Sequence, residues 1–281
     1  MTILVLGGNG KTSSALSTLL EEKGIPLITA SRTPSNNGSR KHIKFDWLDD
    51  STYDLPFQAA NDPITAIYMV APQISDPFPS MKAFIDHARG KGTKRFVLLS
   101  ASVIPKGGPV YGKVHEYLET LGVEYGVLRP SWFMDNFIDE SSRHLRFHDN
   151  LISSATQKGR VPFVATSDIA AMAFHLLTDE KAHDTDYFVR GPELLSYDEV
   201  AQIISEVTGK PINHEHMSLE DLEAKFSASE MPQEYAKMLA GLDGHIAKGL
   251  EAELDDAVLR VTGNPPKSFR AFAQENREKL L

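Results

Sequence analysis

Apolar residues fall along the first half of the chain in short runs separated by stripes of helical spacing. Thr2-Ile3-Leu4-Val5-Leu6 is almost wholly apolar, and Gly7-Gly8-Asn9-Gly10 follows it at once. Lys11 to Lys23 reads as a helix. Pro26 to Ala30, His42 to Phe45, Ile64 to Val70, Arg95 to Ser100 and Val123 to Leu128 read as five further strands. Within the fifth strand, Phe96-Val97-Leu98-Leu99 is apolar throughout, which suits a central parallel strand covered on both faces. Phe78 to Lys91 sets Met81, Phe84, Ile85 and Ala88 on one buried stripe of a helix. Lys113 to Leu121 reads as another helix. Strand and helix alternating at this spacing predict an α/β fold with a doubly wound parallel sheet.

Past Arg129-Pro130 the rhythm changes. Leu151 to Ser154 and Val161 to Val164 read as short strands. Ser167-Asp168 is placed to cap a helix through Leu177, and Tyr187-Phe188-Val189 to rejoin the sheet. Ser196 opens another helix, with Glu199 as its capping-box partner. From Ser218 the pattern is mostly helical, with Pro232 at one helix start. The chain therefore divides near residue 130. Residues 1–130 form a nucleotide-binding domain. Residues 131–281 form a smaller, mostly helical substrate-binding region with segments that cross back to the first sheet.

Composition narrows the function classes. With 281 residues and 41% hydrophobic ones, a sizeable core is available. A net charge of −9 argues against a broad nucleic-acid-binding face. The chain has no cysteine, which removes disulfides, thiolate metal sites and a cysteine nucleophile together. No metal is expected. No apolar run approaches the ~20 residues of a membrane span. A soluble, cytoplasmic protein acting on a small molecule is expected, without membrane or nucleic-acid partners.

The glycines carry the first chemical signal. In Gly7-x-x-Gly10-x-x-Ser13, Gly7 permits a tight turn and Gly10 lets backbone approach a phosphate. Ser13, in place of a third glycine, is expected to meet the following strand. Strand, glycine turn and helix together form the pyrophosphate cradle of a Rossmann-type fold. A Walker loop is excluded: Gly10-Lys11-Thr12 is present, but the glycine it requires at position 5 is Val5. The second strand distinguishes the cofactor. NAD-binding proteins place a carboxylate near its end. Here the residues are Ala30-Ser31-Arg32-Thr33, which suit a 2′-phosphate, so NADP(H) is expected. Asp46, after the third strand, is a candidate for the adenine edge.

Short-chain reductases commonly protonate a carbonyl with a tyrosine tuned by a lysine four residues on. Tyr111 is followed at that spacing by His115, while Lys113 lies on another helical face. No Tyr-x-x-x-Lys occurs anywhere in the chain. His115 is a candidate substitute donor, weighed against an ordinary, partly exposed helix histidine. A second cluster follows the sixth strand. Trp132, Phe133, Met134 and Phe137 are candidates for an apolar wall, with Asp135 or Asn136 as a polar point. The alternative for each aromatic is simple cover for the sheet's edge.

These strings resemble a known family. The start through Thr12, Phe45-Asp46-Trp47-Leu48, Arg95 through Ser102, Leu128 through Asn136, and Gly191-Pro192-Glu193-Leu194-Leu195-Ser196-Tyr197 are similar to the NmrA-like atypical short-chain dehydrogenases. Within them the likeness is to the fungal ergot-alkaloid branch. Asp135 stands where that family usually has glutamate, Ser131 where it often has threonine, and Tyr111 where methionine is expected. The resemblance implies hydride transfer from NADPH to a cyclic iminium of an ergoline skeleton. It implies that Gly7, Asn9, Gly10, Lys11 and Thr12 meet the cofactor phosphates, and that Ser31 and Arg32 meet the 2′-phosphate. Val70-Ala71-Pro72 and Ser100-Ala101-Ser102 would line ribose and nicotinamide. Tyr111, Trp132, Phe133 and Met134 would border the substrate. Catalytic roles, chiefly positioning, fall to Tyr111, Asp135 and His115. Two other readings stay open: an NADPH-dependent enone, quinone or carbonyl reductase, and a non-catalytic NADP(H)-sensing regulator.

Overall fold

A computed structural model describes residues 2–33, 40–139, 150–228 and 233–281. Pro232 lies outside the described residues. The chain divides into two compact units, residues 1–130 with 166–189, and residues 131–165 with 190–281.

The first unit is a seven-stranded, all-parallel sheet. Its strands are β1 (Thr2–Leu6), β2 (Leu27–Ser31), β3 (His42–Lys44), β4 (Ile64–Val70), β5 (Arg95–Leu99), β6 (Glu124–Pro130) and β8 (Thr185–Val189). Their order is β3-β2-β1-β4-β5-β6-β8. All five residues of β1 are buried, as a central parallel strand requires. Leu4, Leu6, Ile67, Met69, Phe96, Leu98 and Val127 face one layer. That layer is built from α3 (Phe78–Gly90), through Met81, Phe84, Ile85 and Ala88, and from α4 (Tyr111–Thr120), through Val114 and Leu118. The intervening side chains face α1 (Lys11–Glu22) and α5 (Thr166–Thr178), which pack on each other. The short α2 (Leu55–Ala59) joins β3 to β4. The fold is thus a Rossmann-like doubly wound sheet.

Several boundaries differ from the sequence pattern, most by a single residue. β6 runs through Arg129-Pro130 rather than ending before it, because β8 pairs with it as far as Pro130–Val189. α4 starts at Tyr111, two residues early. Ser167 and Asp168 lie inside the first turn of α5, where Asp168 faces the helix dipole, and do not cap it from outside.

The second unit holds a two-stranded parallel sheet, β7 (Leu151–Ser154) with β9 (Asn213–His216). Around it lie α6 (Tyr197–Thr208), α7 (Leu219–Ala228), α8 (Gln233–Ala247), α9 (Ala257–Thr262) and α10 (Phe269–Glu275). Ser196 and Glu199 form the capping box that their spacing predicts. Val161 to Val164 is not a strand. It makes isolated bridges, Val161 to Leu195 and Val164 to Phe133. Pro162 between them has no N–H to extend a ladder. The core is aromatic: Phe163 meets Phe137, Tyr197 and Phe269 at ring-centroid distances of 5.7, 5.4 and 5.7 Å.

One charge sits in this unit at a cost. Asp243 of α8 is 5% exposed and accepts a 2.8 Å hydrogen bond from the Ala155 amide. Burial pushes its carboxyl up to about 6 from the ordinary 3.8, only partly offset by that amide. The folded protein therefore binds a proton more tightly than the unfolded chain. Stability is greatest below the unfolded value and is lost as pH rises from about 4 to about 6, by about 2–3 kcal/mol. Asp243→Asn keeps the acceptor and removes the titration. Urea denaturation should find it more stable than the parent at pH 8 and equal to it at pH 4. A variant less stable at pH 8 would contradict this account.

Candidate cofactor site

The carboxyl ends of β1 and β2 build a cradle in the first unit. Gly7 takes φ +68°, a left-handed turn that suits glycine, and the Gly10 amide donates to its carbonyl at 2.7 Å. Gly8 is the unforeseen member. Its amide donates to the Ala30 carbonyl at 3.0 Å. A Cβ there would lie 2.9 Å from Thr29 Cβ and 3.0 Å from His42 Cε1, so only hydrogen fits. Ser13 is fully buried and donates to the Leu6 carbonyl at 2.9 Å. It thus ties α1 back to β1, not to the following strand as the glycine pattern suggested. Gly10 caps α1 without a side-chain hydrogen bond, and no acidic residue occupies the first turn. A helix start of this kind offers its first amide groups and its positive end to an anion.

At the end of β2 the hydroxyls are wired together. Asn9 Nδ2 donates to Ser31 Oγ at 3.3 Å, and Ser31 Oγ donates to the Thr33 carbonyl at 3.0 Å. His42 joins them, with Nε2 2.8 Å from Ser31 Oγ and Nδ1 2.8 Å from Thr29 Oγ1. Burial is the first cause that pulls the imidazole's pKa below its usual value, so the ring is neutral near pH 7. Arg32 is exposed beside this network. Periodicity gave no sign of His42. It arrives because β2 and β3 pair Thr29 with His42.

The next strand end rests on an aromatic support. Trp47 Nε1 donates to the Val70 carbonyl at 3.0 Å, and Tyr53 Oη donates to the Trp47 carbonyl at 2.8 Å. Phe45 packs on Trp47 and Phe84 at centroid distances of 5.0 and 4.7 Å. The Phe-Asp-Trp-Leu string thereby holds Val70-Ala71-Pro72, each half-buried, at the end of β4. Asp46 is half-buried, and its Oδ1 accepts from the Leu48 amide at 3.0 Å, closing the turn.

Ser100 and Ser102 follow β5, and their amides donate to the carbonyls of Leu128 and Pro130 at 2.7 and 3.0 Å. Arg129 secures the same corner. It donates to the Ser102 carbonyl at 3.0 Å, pairs with Asp186 at 2.9 Å, and lies 4.3 Å over the Phe188 ring. The Arg-Pro string is thus a clamp across β5, β6 and β8. Tyr111 is half-buried at the first turn of α4. Val110 before it takes φ 57°, a strained conformation for a β-branched residue. His115 does not join the strand ends. It is 3% exposed, with its ring 6.4 Å from that of Tyr125 at the other end of β6. Burial, first among the causes, lowers its pKa. The expectation of a partly exposed histidine is therefore corrected to a buried one between helix and sheet.

The remaining candidates lie in the second unit. Trp132, Phe133 and Asp135 are half-buried. Met134, expected at a substrate wall, has no exposed surface and packs with Phe137 and Phe163. Its amide donates to the Val164 carbonyl at 2.9 Å. Met134 is therefore a core residue.

Residues 1–258 match the model of the NmrA-like family. The chain belongs to that family. This NmrA-like protein is 42% identical to a festuclavine synthase of Penicillium roqueforti (strain FM164) over 283 residues, 99% of each chain. It is 40% identical to an agroclavine dehydrogenase of Claviceps fusiformis over 287 residues, 100% of this chain and 99% of the relative. Among solved structures it is similar to the NADPH-dependent quinone oxidoreductase of Escherichia coli complexed with NADPH. The TM-score is 0.79 at 18% identity, covering 97% of this chain and 99% of that one. At that identity the likeness concerns the fold.

Proposed function

We propose that this NmrA-like protein is a cytoplasmic NADPH-dependent reductase that delivers hydride to the cyclic iminium of an ergoline-type alkaloid intermediate. The names of its relatives, festuclavine synthase and agroclavine dehydrogenase, support that substrate class. One observation carries the reading: an anion cradle at β1–α1 beside a phosphate-friendly β2 end, in a chain without the Tyr-x-x-x-Lys dyad.

NADPH, when bound, supplies a hydride. Addition of that hydride to a carbon–nitrogen double bond whose nitrogen is already cationic yields a neutral amine, and no proton is needed. The protein's part is then positioning and exclusion of water. The amides that open α1, with Gly7, Asn9, Gly10, Lys11 and Thr12, hold the pyrophosphate. Ser31 and Arg32 take the 2′-phosphate, with Asp46 toward the adenine. Val70, Ala71, Pro72, Ser100, Ala101 and Ser102 border ribose and nicotinamide. Tyr111 in the first unit and Trp132 and Phe133 in the second carry aromatic faces suited to a cation, and Asp135 a carboxylate. Stabilisation of that cation must stay modest, because the charge disappears as hydride arrives.

The test is loss of reduced-nicotinamide absorbance with an ergoline iminium, with the neutral amine identified as product. Tyr111→Phe should keep kcat within about threefold, since losing a true proton donor costs on the order of 100-fold or more. Tyr111 stands half-buried at the start of α4, which favours a second reading as donor in a carbonyl or quinone reductase. A 100-fold loss in Tyr111→Phe would select that reading. Tight NADPH binding with no turnover on any iminium, enone, quinone or carbonyl would indicate a sensor and defeat both.

A further inference from the structure

The second unit gathers three side chains that the proposed reduction does not use. His214 and His216 are two apart on β9, so both project from one face of the strand. Their rings lie 4.3 Å apart between centroids. Asp198, in the first turn of α6, meets both. Its Oδ1 is 2.9 Å from His214 Nδ1 and 3.1 Å from His216 Nε2. The three donor atoms lie within 4.8 Å of one another. The other nitrogen of His214 is also engaged, with Nε2 2.7 Å from Ser154 Oγ on β7, which is itself 2.8 Å from Thr156 Oγ1.

Ser154, His214 and Asp198 have the spacing of a hydrolytic triad. Their burial is the reverse of one. Ser154 is 3% exposed and lies behind the imidazole, whereas the Asp198 side chain is 49% exposed. A serine so placed cannot reach an acyl group. The arrangement matches instead a metal-binding histidine, in which a hydroxyl holds one ring nitrogen and fixes the tautomer while the other faces the ion.

We propose that His214 Nδ1, His216 Nε2 and the Asp198 carboxylate bind one divalent transition-metal ion of the zinc class. Two imidazoles and one carboxylate suit zinc, with bonds of about 2.0–2.2 Å. Tetrahedral ligation at that length sets donors roughly 3.3 Å apart. Asp198 Oδ1 lies slightly inside that distance from both histidine nitrogens, which lie within 4.8 Å of each other and would adjust toward the ion. Imidazole donors disfavour calcium and magnesium. Asp198 and His214 also line an open groove of about 530 Å³, shared with Gln202, Ser205 and Asn213, through which an ion and water can approach them. Glu215, between the histidines, points away and accepts from Ser153 at 2.7 Å with Lys225 nearby, so it is not a ligand. The ion would tie α6 to β9 and fasten the small sheet.

The 281-residue chain is stripped with chelator, dialysed and titrated with zinc in a calorimeter, with melting temperature followed in parallel. One equivalent should bind, and the melting temperature should rise with zinc concentration. His216→Ala and Asp198→Asn alter exposed side chains and should fold normally while losing at least 100-fold in affinity. Ser154→Ala should lose about 10- to 100-fold, the usual effect of removing a hydrogen-bond partner of a metal-bound histidine. Bound cobalt should give the visible absorption of a tetrahedral centre in the parent only. Binding well below one equivalent, or equal binding by the parent and His216→Ala, overturns the proposal.

Discussion

Gly191→Ala should destabilise the protein by about 3–5 kcal/mol and lower its melting temperature by on the order of 10 °C. A Cβ at this position would overlap the carbonyl oxygen of Phe163 outright and lie 2.9 Å from its carbon. Both atoms are backbone, so no side-chain rotation relieves the clash. The two segments are already joined, because the Gly191 amide donates to the Pro162 carbonyl at 3.1 Å. A methyl group would part them and break that bond. It would also open the core where Met134 and Phe163, 0% and 1% exposed, come together. Overpacking and a lost buried hydrogen bond act in the same direction. Gly241→Ala is the matched control: it lies within α8 with no atom within 4 Å of its Cβ, so helix propensity alone should make it neutral or slightly stabilising. Calorimetric melting of the two variants checks the contrast. A Gly191→Ala protein that melts within two or three degrees of the parent would defeat it.

The sheet was legible because parallel strands buried on both faces are spelled as apolar runs. β4 and β7 keep the bounds read from sequence. β9 was not legible, since Asn-His-Glu-His has neither an apolar run nor alternation. Its strand character comes from pairing with β7, and with it was hidden the histidine pair that faces Asp198. The proposed metal site was hidden for the same reason: Asp198 lies 16 residues before His214 and meets the histidine pair only through tertiary structure. The tight turn after β1 was legible in Gly7 and Gly10 but not in Gly8, whose need for hydrogen arises from Thr29 and His42 across two strands. Met134 was misplaced because an aromatic string reads alike as wall or core. The short 3-10 turn Met134–Phe137 sends both its ends inward, at 0% and 2% exposure, and leaves Asp135 and Asn136 half-buried. Turns that need glycine for their backbone geometry announce themselves in sequence. Those that act through register do not.

Arg32→Ala should weaken NADPH binding by about 10- to 100-fold and leave NADH binding within twofold. The two cofactors differ only by the 2′-phosphate. A hydrogen bond from a charged donor to such an anion contributes about 1.5–3 kcal/mol, which corresponds to that factor. Arg32 is the guanidinium beside the Ser31 network, where Asn9, His42 and the Thr33 carbonyl already fix the serine hydroxyl. With Ser31 so fixed, loss of the arginine should remove charge without disordering the hydroxyl. Arg32→Lys should fall between, because an ammonium keeps the charge but loses the planar fork. Added salt should weaken NADPH binding to the parent more than to Arg32→Ala, since the exposed pair is screened. Exposure also separates this outcome from damage to the fold, because melting temperatures of the parent and both variants should coincide. Fluorescence titration with each nucleotide decides it. Equal weakening of NADPH and NADH would show that Arg32 supports the loop in general, and the preference for the phosphorylated cofactor would then have to rest on other residues.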